Sequence, residues 1–255
     1  MKVICIIQAR SGATRLPNKV LLKLQGKTVL EHVVNRTRKS KLISDVFVAT
    51  TINFDDIAIV KKCSEIKTRV FCGSEDDVLD RYYQLAKLLQ PDQIVRITAD
   101  CPVIDFIIID KVIENHLNSD FDYSSNTLIP TYPDGLDVEI FSFQALKAAW
   151  KQASLLSERE HVTPYIIKNK NKFKLNNIEN DVDLSKERWT LDEPKDYELI
   201  RSIYNSLYPD NAFFCMPDIL NLLEQNPELR KKNQNIGRNE GYQKSIQFDR
   251  ILTKE

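Results

Sequence analysis

Glycine is scarce in this chain. There are six, at positions 12, 26, 73, 135, 237 and 241, where a chain of this length ordinarily carries about eighteen. This spacing allows no G-x-G-x-x-G and no G-x-x-x-x-G-K, so both common backbone phosphate cradles are excluded. A charge surplus is also missing: 36 Lys+Arg balance 36 Asp+Glu. A sequence-blind nucleic-acid binder needs a basic excess to displace counter-ions, so nucleic acid is not an expected partner. Long apolar runs are absent. Residues 3–7 and 106–109 are far too short to span a bilayer. Gln8 and Arg10 interrupt the first run before it reaches the roughly seven residues of a signal peptide. No membrane is expected. There are three histidines, none three or four residues from another, which disfavours a His-based zinc site. The five cysteines (5, 63, 72, 101 and 215) are odd in number, scattered and without a C-x-x-C pair. They read as free thiols of a reducing cytoplasm.

What is present is alternation. Residues 3–7 are apolar and β-branched, like a strand buried on both faces. Val29, Leu30, Val33, Val34 and Thr37 follow at helical spacing. Strands are expected at 45–51, 69–72 and 93–98, and helices at 55–63, 78–89 and 107–117. This βαβα order predicts a mostly parallel sheet covered by helices on both faces. Ligands of such sheets collect at the strands' carboxyl ends, which directs attention to the loops after Ile7, Thr51, Cys72 and Thr98. The second half is less regular. Residues 120–137 are polar and turn-rich; a strand is expected at 138–141, helices at 143–153 and 158–168, and a strand-like stretch at 189–191. Asp192-Glu193-Pro194 opens a helix, since proline suits a first turn. From Asn226 the chain is polar and poorly periodic, a tail or arm.

The loop after the first strand, Gln8-Ala9-Arg10-Ser11-Gly12-Ala13-Thr14-Arg15-Leu16-Pro17-Asn18-Lys19, carries three cations separated by small residues. Guanidinium forks suit phosphate oxygens and lysine adds a mobile point charge. A basic surface turn is the plain alternative. Asp100 follows the strand at 93–98 and Asp192 precedes a helix. Read alone, Asp100 is equally a turn former and Asp192 a helix cap. Residues 74–81 enter a helix, where Asp76 and Asp77 complement its dipole. Thr50, at a strand end, is a candidate nucleotide contact, although β-branched strand ends are common.

The loop pattern Q-A-R-S-x-x-T-R-L-P-x-K resembles the signature of the cytidylyltransferases that make CMP-linked sugar acids, the acylneuraminate and 3-deoxy-manno-octulosonate synthetases, and in particular the spore-coat polysaccharide SpsF-type branch. Further blocks are similar in the same order: 73–82, 98–102, 134–139, 159–165, 190–194 and the tail at 238–245. The resemblance implies a Rossmann-like three-layer α/β/α sandwich of the nucleotide-diphosphate-sugar transferase type. It implies a nucleotidyltransferase domain over 1–225, with the acceptor and dimer region at about 120–188, and a polar arm at 226–255. By resemblance, Arg10, Arg15 and Lys19 are the catalytic clamp on the triphosphate, and Asp100 and Asp192 hold Mg²⁺. Gln8, Ala9, Ser11, Gly12, Thr50, Ser74, Asp80 and Arg81 are candidates for binding the nucleotide. Asp134, Asp137, Glu139, Arg159 and His161 are candidates for the acceptor, His161 being equally readable as a packing residue.

The expected activity is transfer of CMP from CTP to a sugar or sugar acid with release of pyrophosphate, for surface polysaccharide, by a homodimer. Three carboxylates at 134, 137 and 139 conflict with an acidic acceptor. The conflict is relieved if the acceptor bears an amino group, if arginine or metal intervenes, or if these residues orient Arg159. Thr14 departs from a common serine, and Cys101 and Val103 also differ from the usual pattern. Two other readings are a glycosyltransferase of related fold and a non-catalytic nucleotide binder. The first typically carries an Asp-x-Asp metal motif, and Asp100 is not part of one; Asp181-Val182-Asp183 lies far along the chain. The second has no need of the full set Arg10, Arg15, Lys19, Asp100 and Asp192.

Overall fold

The computed structural model describes residues 1–238 and 240–251. Strand β1 (Val3–Gln8) is followed by a small hairpin of β2 (Lys23–Leu24) and β3 (Lys27–Thr28). Gln25 and Gly26, both at positive φ, form its turn. Then come α1 (Val29–Thr37), β4 (Asp45–Thr51), α2 (Ile57–Glu65), β5 (Arg69–Gly73), α3 (Val78–Leu89), β6 (Gln93–Thr98) and α4 (Phe106–Leu117). The second half holds β7 (Tyr123–Ser125), β8 (Glu139–Ser142), α5 (Phe143–Gln152), α6 (Leu156–His161), α7 (Pro164–Lys168), β9 (Leu175–Asn177), α8 (Pro194–Leu207), α9 (Met216–Gln225) and α10 (Glu240–Gln247).

The main sheet has seven strands in the order β5-β4-β1-β6-β8-β7-β9. β5, β4, β1 and β6 run parallel, and β8 is antiparallel to both β6 and β7. The central strands are apolar throughout because both faces are covered. In β1, Val3, Cys5 and Ile7 point into one core, with α1, α4, α8 and α9, while Ile4 and Ile6 point into the other, with α3 and α5. β4 divides likewise, Val46 and Val48 against Phe47 and Ala49. This is the three-layer sandwich the sequence predicts. Truncating Ile4 or Ile6 to alanine would cost about 2–5 kcal/mol each. Side-chain caps fix the helix starts: Thr28, Asp77, Asp105 and Ser142 each accept from a backbone N–H one turn in.

Several expectations change. The expected helix at 158–168 is two, α6 and α7, because Val162 sits at φ 72 and Pro164 lacks an N–H to continue the ladder. The strand-like stretch at 189–191 belongs to no strand; its neighbour Arg188 forms an isolated bridge with Asp134. Its apolar character reflects burial, with Trp189 and Leu191 fully enclosed. The polar segment 120–137 contains β7, and α9 lies where no element was expected. No helix among the described residues is long and apolar enough to cross a membrane.

The arm folds back onto the body. After a 3-10 turn at Pro227–Lys232, Asn233 Nδ2 donates to Arg188 O and Asp196 Oδ1. Helix α10 lies beside α6, and Ile251 forms an isolated bridge with Leu155. Of the tail, Asn239 and residues 252–255 lie outside the described residues.

Candidate active site

The loop after β1 is held by side chains where a glycine-rich loop would use its backbone. Asp56, buried at the foot of α2, is the anchor. Its Oδ1 accepts from Ser11 N at 2.7 Å, and its Oδ2 accepts from Thr50 Oγ1, Thr51 N and Thr51 Oγ1. Burial alone would raise the Asp56 pKa, but these hydrogen bonds outweigh it and hold the carboxyl below its ordinary range. Ser11 O then accepts from Ala13 N and Asn18 N, closing the loop. Ala9 N and Gln8 O complete the ladders to Ala49 and Ala99. Gly12 has only Glu75 Oε1 near where a Cβ would stand, at 3.8 Å.

The loop's cations converge with acids from distant parts of the chain. Lys19 Nζ donates to Asp100 Oδ2 at 2.6 Å and to Asp192 Oδ1 at 2.7 Å. Burial would lower the Lys19 pKa, yet the two carboxylates hold the ammonium charged well above the usual lysine range. Asp100 is pushed down to about 2: burial opposes, and Lys19 prevails. Arg15 pairs with Glu193 at 3.0 Å, with Glu240 of the arm at 3.1 Å and with Asp192 at 3.5 Å. Arg10 is exposed and forms no ion pair among the described residues.

Asp192 is placed by its own surroundings. Leu191 N donates to Asp100 O at 2.9 Å, tying the two acidic segments together. Asp196 accepts from the amides of Asp192 and Glu193, capping α8. Arg188 bridges Asp134, Asp192 and Asp196 and also donates to Gly237 O. Gly135, at φ 107, lets the 134–136 turn cross the 188–190 segment: a Cβ there would stand 2.5 Å from the Trp189 carbonyl carbon. Asp100 and Asp192 are the pair able to hold a divalent cation. Among the described residues no group of three or more His, Cys, Asp or Glu side chains is arranged to do so. Mg²⁺ needs only one or two carboxylates when substrate phosphates and water supply the rest. The Lys19 ammonium is seated between these two carboxylates.

The three carboxylates expected at the acceptor are each paired with an arginine, although Arg188 is shared with Asp192 and Asp196. Asp134 pairs with Arg188 at 2.9 Å, Asp137 with Arg238 of the arm at 2.6 Å, and Glu139 with Arg96. Burial pushes Asp137 up to about 7 in spite of Arg238. Arg96 Nε also donates to Gln8 Oε1, and Tyr123 and Thr163 donate to Glu139. Arg159 does not join these carboxylates. Its fork holds Asp77, and its Nη1 donates to Trp150 O. His161 Nε2 contacts Ser245 Oγ of α10 at 2.9 Å; burial lowers the imidazole to about 4, so it is neutral at pH 7.

The candidate nucleotide residues of the second block are turned to structural work. Ser74 Oγ accepts from Asp77 N, and Arg81, fully buried, donates to the carbonyls of Ser74 and Glu75. Asp80 accepts from Trp150 Nε1 and Gln84, and Thr50 is fully buried on Asp56. Two Asp-x-Asp triplets exist; Asp120 of Asp120-Phe121-Asp122, and Asp181 and Asp183 of the second, are exposed at the surface. Sequence reasoning missed Asp56, Arg96, Arg188, Asp196, Arg238 and Glu240. The local signals among them were Asp196, two residues after Pro194 in the helix start, and the place of Arg238 and Glu240 in the tail block 238–245.

The comparisons fit this geometry. A family model described as cytidylyltransferase matches residues 4–236. The chain belongs to the cytidylyltransferase family. It is 31% identical over 239 residues to the spore coat polysaccharide biosynthesis protein SpsF of Bacillus subtilis, covering 91% of this chain and 98% of that one. It is 37% identical over 115 residues to the 3-deoxy-manno-octulosonate cytidylyltransferase of Geotalea daltonii, covering 44% of each. A solved cytidylyltransferase from Leptospira borgpetersenii serovar Hardjo-bovis superposes with a TM-score of 0.87 at 35% identity, over 93% of this chain and all of that one.

Proposed function

We propose that this cytidylyltransferase moves CMP from CTP to a sugar acid, releasing pyrophosphate, in the making of a surface polysaccharide. The observation that carries this is the meeting of the Arg10–Lys19 loop with Asp100 and Asp192 at the carboxyl ends of β1 and β6. Arg10, open to solvent, makes the first contact with the triphosphate; Arg15 and Lys19 complete the clamp. Asp100 and Asp192 are the residues to hold Mg²⁺, which supplies charge neutralisation on the phosphates. The acceptor hydroxyl attacks the α-phosphorus in line, the bond to the β-phosphate oxygen breaks, and the hydroxyl proton passes to water. Such transfer depends on positioning and charge. The pairing of Asp134, Asp137 and Glu139 with arginines weakens the repulsion that would oppose an acidic acceptor. The reading has a homodimer formed through the 120–188 region, whose mass light scattering would test, and a reducing cytoplasm, which the free thiols suit.

Pyrophosphate release from each of the four NTPs with Mg²⁺ and a panel of sugar acids tests the reading. Turnover is expected with CTP and at least one acid. Sugar transfer from a preformed nucleotide sugar, without pyrophosphate release, would overturn it. Asp100→Asn keeps the shape of the side chain, and turnover should fall roughly a thousandfold. Full activity in that variant refutes the role given to Asp100.

A further inference from the structure

Lys19 occupies an unusual position. Its Nζ lies 2.6 Å from Asp100 and 2.7 Å from Asp192, with the lysine side chain only 12% exposed. The two acids come from segments 81 and 173 residues away. Both are the candidate metal ligands, and both face one ammonium. Arg188 holds Asp192 Oδ2, which leaves Oδ1 to Lys19. On the other flank, Arg15 is held in the same manner by Glu193 and Glu240. Two of the three clamp cations are therefore already paired with carboxylates before any phosphate arrives.

We propose that Lys19 is a resident counter-ion: it keeps Asp100 and Asp192 closed to a free divalent cation, and it exchanges onto the triphosphate when metal and nucleotide arrive together. This rests on the cytidylyl-transfer reading. A free Mg²⁺ ion would have to displace two charge-assisted hydrogen bonds and shed water it gives up reluctantly, leaving the ammonium without a partner. A metal–nucleotide complex brings phosphate oxygens to receive that ammonium. Every charge then keeps a partner through the exchange. Lysine suits this part, because its compact charge rides on a flexible four-carbon stem and has three donors to redirect. The site thus binds metal and nucleotide cooperatively, and Lys19 is the source of that coupling.

Mn²⁺ binding to the full chain, followed by electron paramagnetic resonance in place of Mg²⁺, reads this directly. Without nucleotide, the wild type should bind Mn²⁺ weakly. Lys19→Met should bind Mn²⁺ alone at least about tenfold more tightly, the size of one lost charge contact. The Lys19→Met, Asp100→Asn double variant should lose that gain, and Lys19→Arg, which keeps a cation, should show none. CTP should strengthen Mn²⁺ binding in the wild type far more than in Lys19→Met. Should Lys19→Met fail to fold, Lys19→Gln carries the same comparison. Equal Mn²⁺ affinity in the wild type and the neutral variants overturns the proposal. So does a wild type that binds Mn²⁺ as tightly without CTP as with it. Failure of the wild type to bind CTP in calorimetry sinks the cytidylyl-transfer reading instead, while the nucleotide-free comparison still decides the counter-ion.

Discussion

Arg188 shows how much of this site depends on one side chain outside the loop. It is 6% exposed, and its guanidinium joins the 134–136 turn at Asp134, the candidate metal ligand Asp192 and the α8 cap Asp196. A planar fork can serve three carboxylates at once; an ammonium cannot keep the same angles. Arg188→Lys keeps the charge and loses the geometry. Turnover should fall about 10–100-fold, the usual effect of misplacing a metal ligand through its neighbour. CTP binding measured without metal should be unchanged. Unaltered turnover in Arg188→Lys would remove Arg188 from the machinery.

At the scale of elements, the crossing of the 134–136 turn over the 188–190 segment fixes where Asp192 stands. Gly135→Ala places a Cβ against the backbone of Trp189 and Thr190, at a φ that alanine rarely adopts. A loss of roughly 2–3 kcal/mol is expected in urea denaturation, with turnover reduced as Leu191 and Asp192 shift. Gly26→Ala is the control: its φ is also positive, but nothing lies within 4 Å, so only about 1 kcal/mol is lost and activity is retained. Equal effects at the two positions would contradict the crossing's role. The elements readable from sequence were those whose pattern matched their burial. β1, β4, α3 and β6 carry continuous or strongly periodic apolar residues and fall where expected. Residues 189–191 imitate a strand because they are buried, but no neighbouring strand pairs with them. β7 and β9 are three residues each and polar, too short to show a period. The site divides the same way. Arg10, Arg15 and Lys19 were visible because they are close in sequence. Their partners, and the arginines at 96, 188 and 238 that pair with Glu139, Asp134 and Asp137, are joined only by the fold.

For the whole molecule, two buried imidazoles and the half-buried His161 dominate the response to acid. Burial pushes His32, His116 and His161 each down to about 4. Between about 6.5 and 4 the unfolded chain therefore binds protons that the folded chain refuses, and stability falls as pH falls. Asp134 and Asp137, both raised by burial, act oppositely. The Asp137 carboxyl is raised to about 7, so between 7 and its unfolded value the folded state takes the extra proton and is favoured. Three histidines outweigh these two aspartates. Stability at pH 5 should lie on the order of 2–3 kcal/mol below that at pH 7.5. Urea denaturation at both values checks this, and His116→Gln, relieving one of the three, should flatten the difference. A stability that rises toward pH 5 would refute the balance.

The meeting of Lys19 with Asp100 and Asp192, and of Arg15 with Glu240, also has a consequence in time. The cationic loop is synthesised ahead of its partners, and Lys19's second partner lies 173 residues further along. At ordinary rates of synthesis that is a delay of roughly 10–30 s. Through that interval Arg10, Arg15 and Lys19 are born as an unbalanced positive stretch. The arm that pairs Glu240 with Arg15 follows that loop by 225 residues.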